Sequence, residues 1–158
     1  MIRVGNGYDA HRLSCGRDLI IGGVHIPHES GLFGHSDADV LVHAVIDSLL
    51  GAAALGNIGE RFPDSDEKYK GACSMDLLRE TLCVIAEKGF VVLNVDSVVV
   101  AQEPRLAPFT DKMRENIAEA LKIDKICVSV KGKTEEGMGF TGRKEGIKAY
   151  AACLIESQ

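Results

Sequence analysis

The stretch Gly34-His35-Ser36-Asp37-Ala38-Asp39, with the apolar run from Val40 to Leu55 behind it, decides how this chain folds. Val40, Leu41, Val42, Val45, Ile46, Leu49, Leu50 and Leu55 put apolar groups on nearly every side of a helix, so that helix belongs in a core. Ser36, with Asp39 three residues later, resembles a capping box in which Asp replaces the usual Glu or Gln. Asp39, His43 and Asp47 recur at steps of four and stack on one face of the same helix. A polar stripe on a buried helix must be satisfied by partners from elsewhere in the chain.

At 158 residues, the chain fits one domain, residues 1–158, large enough for a core without disulfide or metal staples. No apolar run reaches the ~18 residues of a membrane span. A net charge of −5 and the absence of any Lys/Arg-rich block give no support to nucleic-acid or membrane binding. The five cysteines, Cys15, Cys73, Cys83, Cys127 and Cys153, form no CxxC pair, and several lie in apolar periodic segments, so buried free thiols are expected. Arg3, Asp9, His11 and Arg12 interrupt the first residues, unlike a secretory signal. A reducing, cytoplasmic setting is expected, or an organelle stroma if the chain is a processed form.

Around the central helix, strands are expected over Met1–Leu13, Leu19–Val24, Phe90–Gln102 and Ile126–Lys131. Helices are expected over Thr110–Leu121, from Ser74 as N-cap to Lys88, and from about Lys144 to Glu156. Pro27–Gly34, the turn-rich Glu60–Gly71 and the glycine-rich 132–142 read as loops, the second of them mobile. Two adjacent N-terminal strands break any clean βαβ repeat. The expected fold is α+β, a mixed β-sheet with helices packed on one face.

Three constellations carry chemistry. In a strand, Asp9 and His11 share one face, while Tyr8, Ala10 and Arg12 share the other. With His43 as a third ligand, they would leave one tetrahedral position open, as in a catalytic zinc site. The plainer alternative is an Asp-oriented surface histidine and a satisfied core histidine. His35 and Ser36 lie at a helix mouth suited to phosphate, or simply to capping. Lys131 to Arg143 gathers cations, hydroxyls, carboxylates and glycines after a strand. There Lys133 or Arg143 would neutralise phosphate and a carboxylate would hold Mg²⁺, unless the segment is a solvated turn. The order of a P-loop is absent.

Gly5-Asn6-Gly7-Tyr8-Asp9-Ala10-His11-Arg12, the block from His35 to Asp66, and Gly137-Met138-Gly139-Phe140-Thr141-Gly142-Arg143 together resemble the 2-C-methyl-D-erythritol 2,4-cyclodiphosphate synthases. These are enzymes of the non-mevalonate isoprenoid pathway. The likeness runs in order through essentially the whole chain. It implies a CMP-releasing lyase acting on 4-diphosphocytidyl-2-C-methyl-D-erythritol 2-phosphate, whose 2-phosphate attacks the β-phosphorus. It also implies a homotrimer around a sheet-lined axis, with each active site at a subunit boundary.

By the same resemblance, Zn²⁺ belongs on Asp9, His11 and His43, and Mg²⁺ or Mn²⁺ on Glu136. His35 and Thr134 take the positions that stabilise the transition state, and Ser36 meets phosphate. Asp47, Asn57, Ile58 and Gly59 face ribose or erythritol. Phe62, Pro63, Asp64, Ser65 and Asp66 form a lid. Ala101, Gln102, Glu103, Pro104, Arg105, Leu106 and Ala107 form the cytosine pocket. Phe140 and Arg143 line the axis, where the family holds an isoprenoid diphosphate. Asn57 stands where Asp is common, and Lys133 and Glu135 where threonines are frequent; Lys133 adds a phosphate contact and Glu135 adds charge beside Glu136. The alternatives are a zinc-dependent phosphoesterase, and a non-catalytic trimeric module for nucleotides or isoprenoid diphosphates.

Overall fold

The run after Asp39 is helical and lies at the centre of the molecule. A computed structural model describes residues 1–158. The chain begins with strands β1 (Ile2–Cys15), β2 (Leu19–Ile21), β3 (Val24–Ile26) and β4 (Ser30–Leu32). Helices α1 (Val40–Ala52), α2 (Ile58–Arg61) and α3 (Ser74–Glu87) follow, then strand β5 (Phe90–Val100) and helix α4 (Thr110–Leu121). Strand β6 (Val128–Lys133), the single turn α5 (Gly139–Gly142) and strand β7 (Gly146–Ser157) complete it.

Five strands form a mixed sheet in the order β4-β1-β7-β5-β6, with β5 and β6 the only parallel pair. β2 and β3 make a separate hairpin. α1 packs on β1 and β7, α3 on α1, and α4 on α3 and β6, so the helices cover one face of the sheet. The expected architecture of a mixed sheet with helices on one side is what forms. Val40, Leu41, Val42, Val45, Ile46, Leu49 and Leu50 are fully buried, each contributing roughly 1.5–3 kcal/mol by leaving water. The other sheet face leaves Ile2, Val4, Tyr8, Tyr150 and Leu154 exposed, with the Tyr8 and Tyr150 rings 5.1 Å apart.

The largest departure from expectation is the last element. Residues 146–157 are not a helix but the strand β7, flanked by β1 and β5. Ile147, Ala149, Ala151, Cys153 and Ile155 are buried, while Tyr150, Ala152 and Leu154 are not, a two-residue period that outweighs the helix propensity of the alanines. Small Ala149 and Ala151 also suit a strand that lies beneath α1.

Smaller departures concern caps and loops. Asp39, not Ser36, is the N-cap of α1, accepting the Val42 N–H at 3.1 Å, and Ser36 Oγ instead accepts the Ala38 N–H. α1 stops at Ala52 rather than Leu55, closed by Ala54 at φ 58° and a Leu55 N–H to Leu50 C=O bond. Ser74 is the first residue of α3 and its side chain is turned elsewhere, leaving Cys73 at the N-cap position. The Pro27–Gly34 segment holds the short β4, and Glu67–Tyr69 forms a 3₁₀ turn within the expected loop. β6 starts at Val128, after a 3₁₀ turn at Lys125–Cys127. Only Cys153 is a buried thiol; Cys15, Cys73 and Cys83 are exposed and Cys127 is half-buried. No helix is long and apolar enough to cross a membrane.

Candidate active site

Two glycines set the distance between β1 and α1. A Cβ on Gly5 would lie 1.9 Å from the Ser48 carbonyl oxygen, and one on Gly7 would lie 1.9 Å from that of Ala44. The strand therefore presses backbone against backbone on the helix. Two strand residues advance about 6.6 Å and four helix residues about 6 Å, so the two elements stay in step. Continuing along the same face of β1, Asp9 and His11 come level with His43.

There the three side chains meet. Asp9 Oδ2 is 2.8 Å from His11 Nε2 and 3.1 Å from His43 Nδ1, and the two nitrogens are 3.2 Å apart. Ligands about 2.0–2.1 Å from a tetrahedral ion would be separated by about 3.3 Å, so one carboxylate oxygen and two imidazole nitrogens fit such an ion with little movement. The second nitrogen of each ring is also engaged: His11 Nδ1 faces the Phe33 carbonyl at 2.9 Å, and His43 Nε2 faces Ser74 Oγ at 2.8 Å and Ser36 Oγ at 3.2 Å. Such outer contacts orient metal-binding histidines. The triad is a metal-ligating group.

Electrostatics follow from this geometry. Burial alone would raise the Asp9 carboxyl, but hydrogen bonds from His11 and His43, with their charge, overcome it and hold the group at about 2. Burial would lower His11; its hydrogen bond and attraction to Asp9 prevail and raise it. Burial pushes Asp39 up to about 6 against backbone N–H donors from Gly23, Val42 and Gly22. Asp47 is also raised by burial, although the Ile58 N–H donates to it at 2.7 Å. The polar stripe thus has its partners: Asp39 caps α1 and clamps the β2–β3 turn, His43 joins the triad, and Asp47 tethers α2.

A cavity of about 220 Å³ opens on the triad. It brings Asp9, His11 and His43 together with His35, Ser36, Ile58, Gly59, Phe62 and Asp64. Gly34 completes its wall with Tyr69 and Leu77, two residues that carry no motif; the Tyr69 ring meets that of Phe62, 5.3 Å between centroids. Pro63 is half-buried, Ser65 is exposed, and Asp66 spends its carboxylate on the Lys68 N–H, so none of these three lines the cavity. Asn57 accepts the Glu60 N–H and donates Nδ2–H to Glu60 Oε1 at 2.8 Å, a reciprocal cap.

A second cavity, about 540 Å³, is bounded by Ala101, Gln102, Glu103, Pro104, Arg105, Leu106 and Ala107, and across from them by Lys133 and Thr134. It shares no lining residue with the first. Strand order gives the reason. Ala10, Lys148, Val100 and Lys133 form one row across the sheet, so the loop after β6 starts level with the triad but three strands away, about 14 Å at the usual strand spacing. Thr134 and Glu136 are exposed and close to one another. Glu135 is turned away, bonded to Thr141 and paired with Lys148 at 2.6 Å, so its carboxylate does not add to that of Glu136. Arg143 pairs with Glu145, and the Phe140 ring lies 5.6 Å from Lys148 Nζ. Neither Phe140 nor Arg143 reaches either cavity.

Fold and site together define an α+β protein with a three-residue metal site between its first strand and its first long helix, beside a small-molecule cavity. The chain belongs to the YgbB family, whose model matches residues 2–156. It is 60% identical over 155 residues to the 2-C-methyl-D-erythritol 2,4-cyclodiphosphate synthase of Syntrophomonas wolfei, covering 98% of this chain and 99% of that one. Among solved structures, it is similar to the bifunctional IspDF of Campylobacter jejuni, with a TM-score of 0.96 and 43% identity. The match takes in all of this chain and 43% of that larger one. A CDP complex of IspF from Plasmodium falciparum matches with a TM-score of 0.87 and 35% identity, over 99% of this chain and 97% of that one.

Proposed function

We propose that this chain converts 4-diphosphocytidyl-2-C-methyl-D-erythritol 2-phosphate to 2-C-methyl-D-erythritol 2,4-cyclodiphosphate and CMP. The observation that carries the reading is the Asp9-His11-His43 triad opening onto a cavity whose other wall is the phosphate-suited mouth of α1. The family relationship supports the substrate, and a CDP-bound neighbour supports a cytidine pocket along Ala101–Ala107.

An oxygen of the 2-phosphate forms a bond to the β-phosphorus while the bond from that phosphorus to the α-phosphate oxygen breaks, and CMP leaves with the electron pair. An ionised phosphate is already a nucleophile, so the residues need to position and screen rather than to act as a strong base. Zn²⁺ on Asp9, His11 and His43 and Mg²⁺ or Mn²⁺ on Glu136 would offset the repulsion between phosphates and polarise the phosphoryl group. His35 and Ser36 at the helix mouth, and Thr134 at the other cavity, hydrogen-bond phosphate oxygens. Ile58 and Gly59 border the sugar, held in place by Asp47 and Asn57, Phe62 to Asp66 close over it as a lid, and Lys133 adds a cation. Glu135 acts through Lys148 rather than by touching substrate.

Because the cavities are about three strands apart in one chain, the reading includes a homotrimer in which the triad cavity of one chain meets the nucleotide cavity of the next. The exposed apolar sheet face supports the packing of three chains about an axis, with Phe140 and Arg143 at its end, where an isoprenoid diphosphate would bind. The reading sets this work in the cytoplasm, as the bacterial relative suggests. The test is phosphorus NMR of the reaction mixture. Equal amounts of cyclic diphosphate and CMP are expected; a linear monophosphate with no cyclic product would indicate a phosphoesterase, and tight binding without turnover a binding module.

A further inference from the structure

Behind His43, on the side away from Asp9, lies a chain of hydrogen bonds whose members Ser74 and Asp37 do not line the cavity. Ser74 is fully buried at the start of α3, with Oγ 2.8 Å from His43 Nε2. The same hydroxyl donates to Asp37 Oδ1, and the Ser74 N–H donates to Asp37 Oδ2 at 3.0 Å. Asp37 is itself fixed: its N–H bonds to the Ala72 carbonyl, and its carboxylate accepts the Asp39 N–H.

We infer that Ser74 and Asp37 are positioning residues for the metal site, a relay that sets the tautomer and the aim of the His43 ring. A hydroxyl has one proton to give, and an ionised carboxylate can only accept. With the Ser74 proton committed to Asp37, its lone pairs face His43, so Nε2 must carry the hydrogen. In the neutral ring that would ligate a metal, Nδ1 is then left bare and directed at Asp9 Oδ2 and His11 Nε2, 3.1 and 3.2 Å away. Ser36 Oγ, 3.2 Å from Nε2 and already accepting the Ala38 N–H, is the longer of the two contacts. The relay joins α3 and the segment before α1 to one ligand of the triad. It therefore holds that ligand from two directions, as outer partners of metal-binding histidines do.

This inference rests on the metal reading above, and its tests separate the two. In the full-length chain, zinc affinity is measured by competition with a chromophoric chelator, and site geometry by the visible absorption of the cobalt-loaded protein. Ser74→Ala is expected to weaken zinc binding by about 10–100-fold and to change the cobalt spectrum, while circular dichroism stays that of the parent. Affinity within twofold of the parent, with an unchanged cobalt spectrum, would overturn the relay. A parent chain that binds neither metal would overturn the triad reading first, and the relay with it. A measurement without any variant guards against a folding defect in Ser74→Ala. In the zinc-loaded parent, long-range ¹⁵N–¹H spectra should show His43 protonated at Nε2 and metal-bound at Nδ1. The opposite tautomer would contradict the relay.

Discussion

The two cavities are built in opposite ways. The triad cavity is assembled from core elements: His43 is 8% exposed on a helix that is otherwise almost wholly buried, and each ring nitrogen of its triad has a partner within 3.2 Å. The second cavity is a surface concavity whose Thr134 is exposed, as is Glu136 just outside its lining, and the two make only long, weak contacts with one another. Preorganisation is thus concentrated where a cation must be gripped. On the proposed reading, a second chain and a substrate complete the other half.

The largest test of that contrast removes a ligand. His43→Ala or Asp9→Ala should lower zinc affinity by more than the ~100-fold that loss of an outer partner can cost, and abolish turnover with the fold kept. Full zinc occupancy in purified His43→Ala would sink the assignment. Next, Gly7→Ala should destabilise the chain by about 3 kcal/mol, because its Cβ would overlap the Ala44 carbonyl and force α1 off β1. Zinc should be lost in step with the denaturation midpoint, and a normal midpoint would mean that the strand and helix are not in backbone contact. Glu136→Gln, on the open side, should instead cut turnover at least ~10-fold with zinc content and melting temperature unchanged. A loss of zinc there would erase the distinction between the halves.

A smaller effect appears in acid. The Asp9 carboxyl is held at about 2 in the folded metal-free chain against 3.8 when unfolded. A depressed folded value stabilises fully above 3.8, and that stability is lost as pH falls from 3.8 through about 2, to the extent of about 2 kcal/mol. Urea titrations of the metal-free parent and of Asp9→Asn should converge over that window; parallel curves would show that the triad does not hold the carboxylate charged. The smallest effect is at Asn57. Asn57→Asp keeps the cap but sets a second carboxylate against Glu60, and should cost a few tenths of a kcal/mol, recovered by adding Glu60→Gln. Any gain in substrate affinity from the new carboxylate should show only in the double variant, as a lower KM with kcat unchanged.

The triad was legible in the sequence because period two puts Asp9 and His11 on one face and period 3.6 aligns His43 with Asp39 and Asp47. The contact that joins the two faces was less so. It depends on Gly5 and Gly7, which share the alternation of Asp9 and His11 and whose missing side chains set the helix at its close distance. β7 read as a helix because its alanines favour one, and only its place under α1 between two strands reveals a strand. Ser74 read as a cap because Ser before an apolar run usually is one; its true partners, His43 and Asp37, lie 31 and 37 residues away. Glu135 belongs to Lys148 through the position of β7, and no local pattern announces that pairing.

The proposed division of the site between two chains can be tested directly. His43→Ala and Glu136→Gln chains, the first inactive alone and the second at least ~10-fold impaired, are co-expressed with different tags, and trimers carrying both tags are assayed for CMP release. If each site takes its triad from one chain and its Glu136 loop from the next, every mixed trimer keeps one of its three sites intact, and activity should return to about a third of the parent's. If both halves of each site came from one chain, every site would carry a lesion and the mixed trimers would stay as impaired as the two variants.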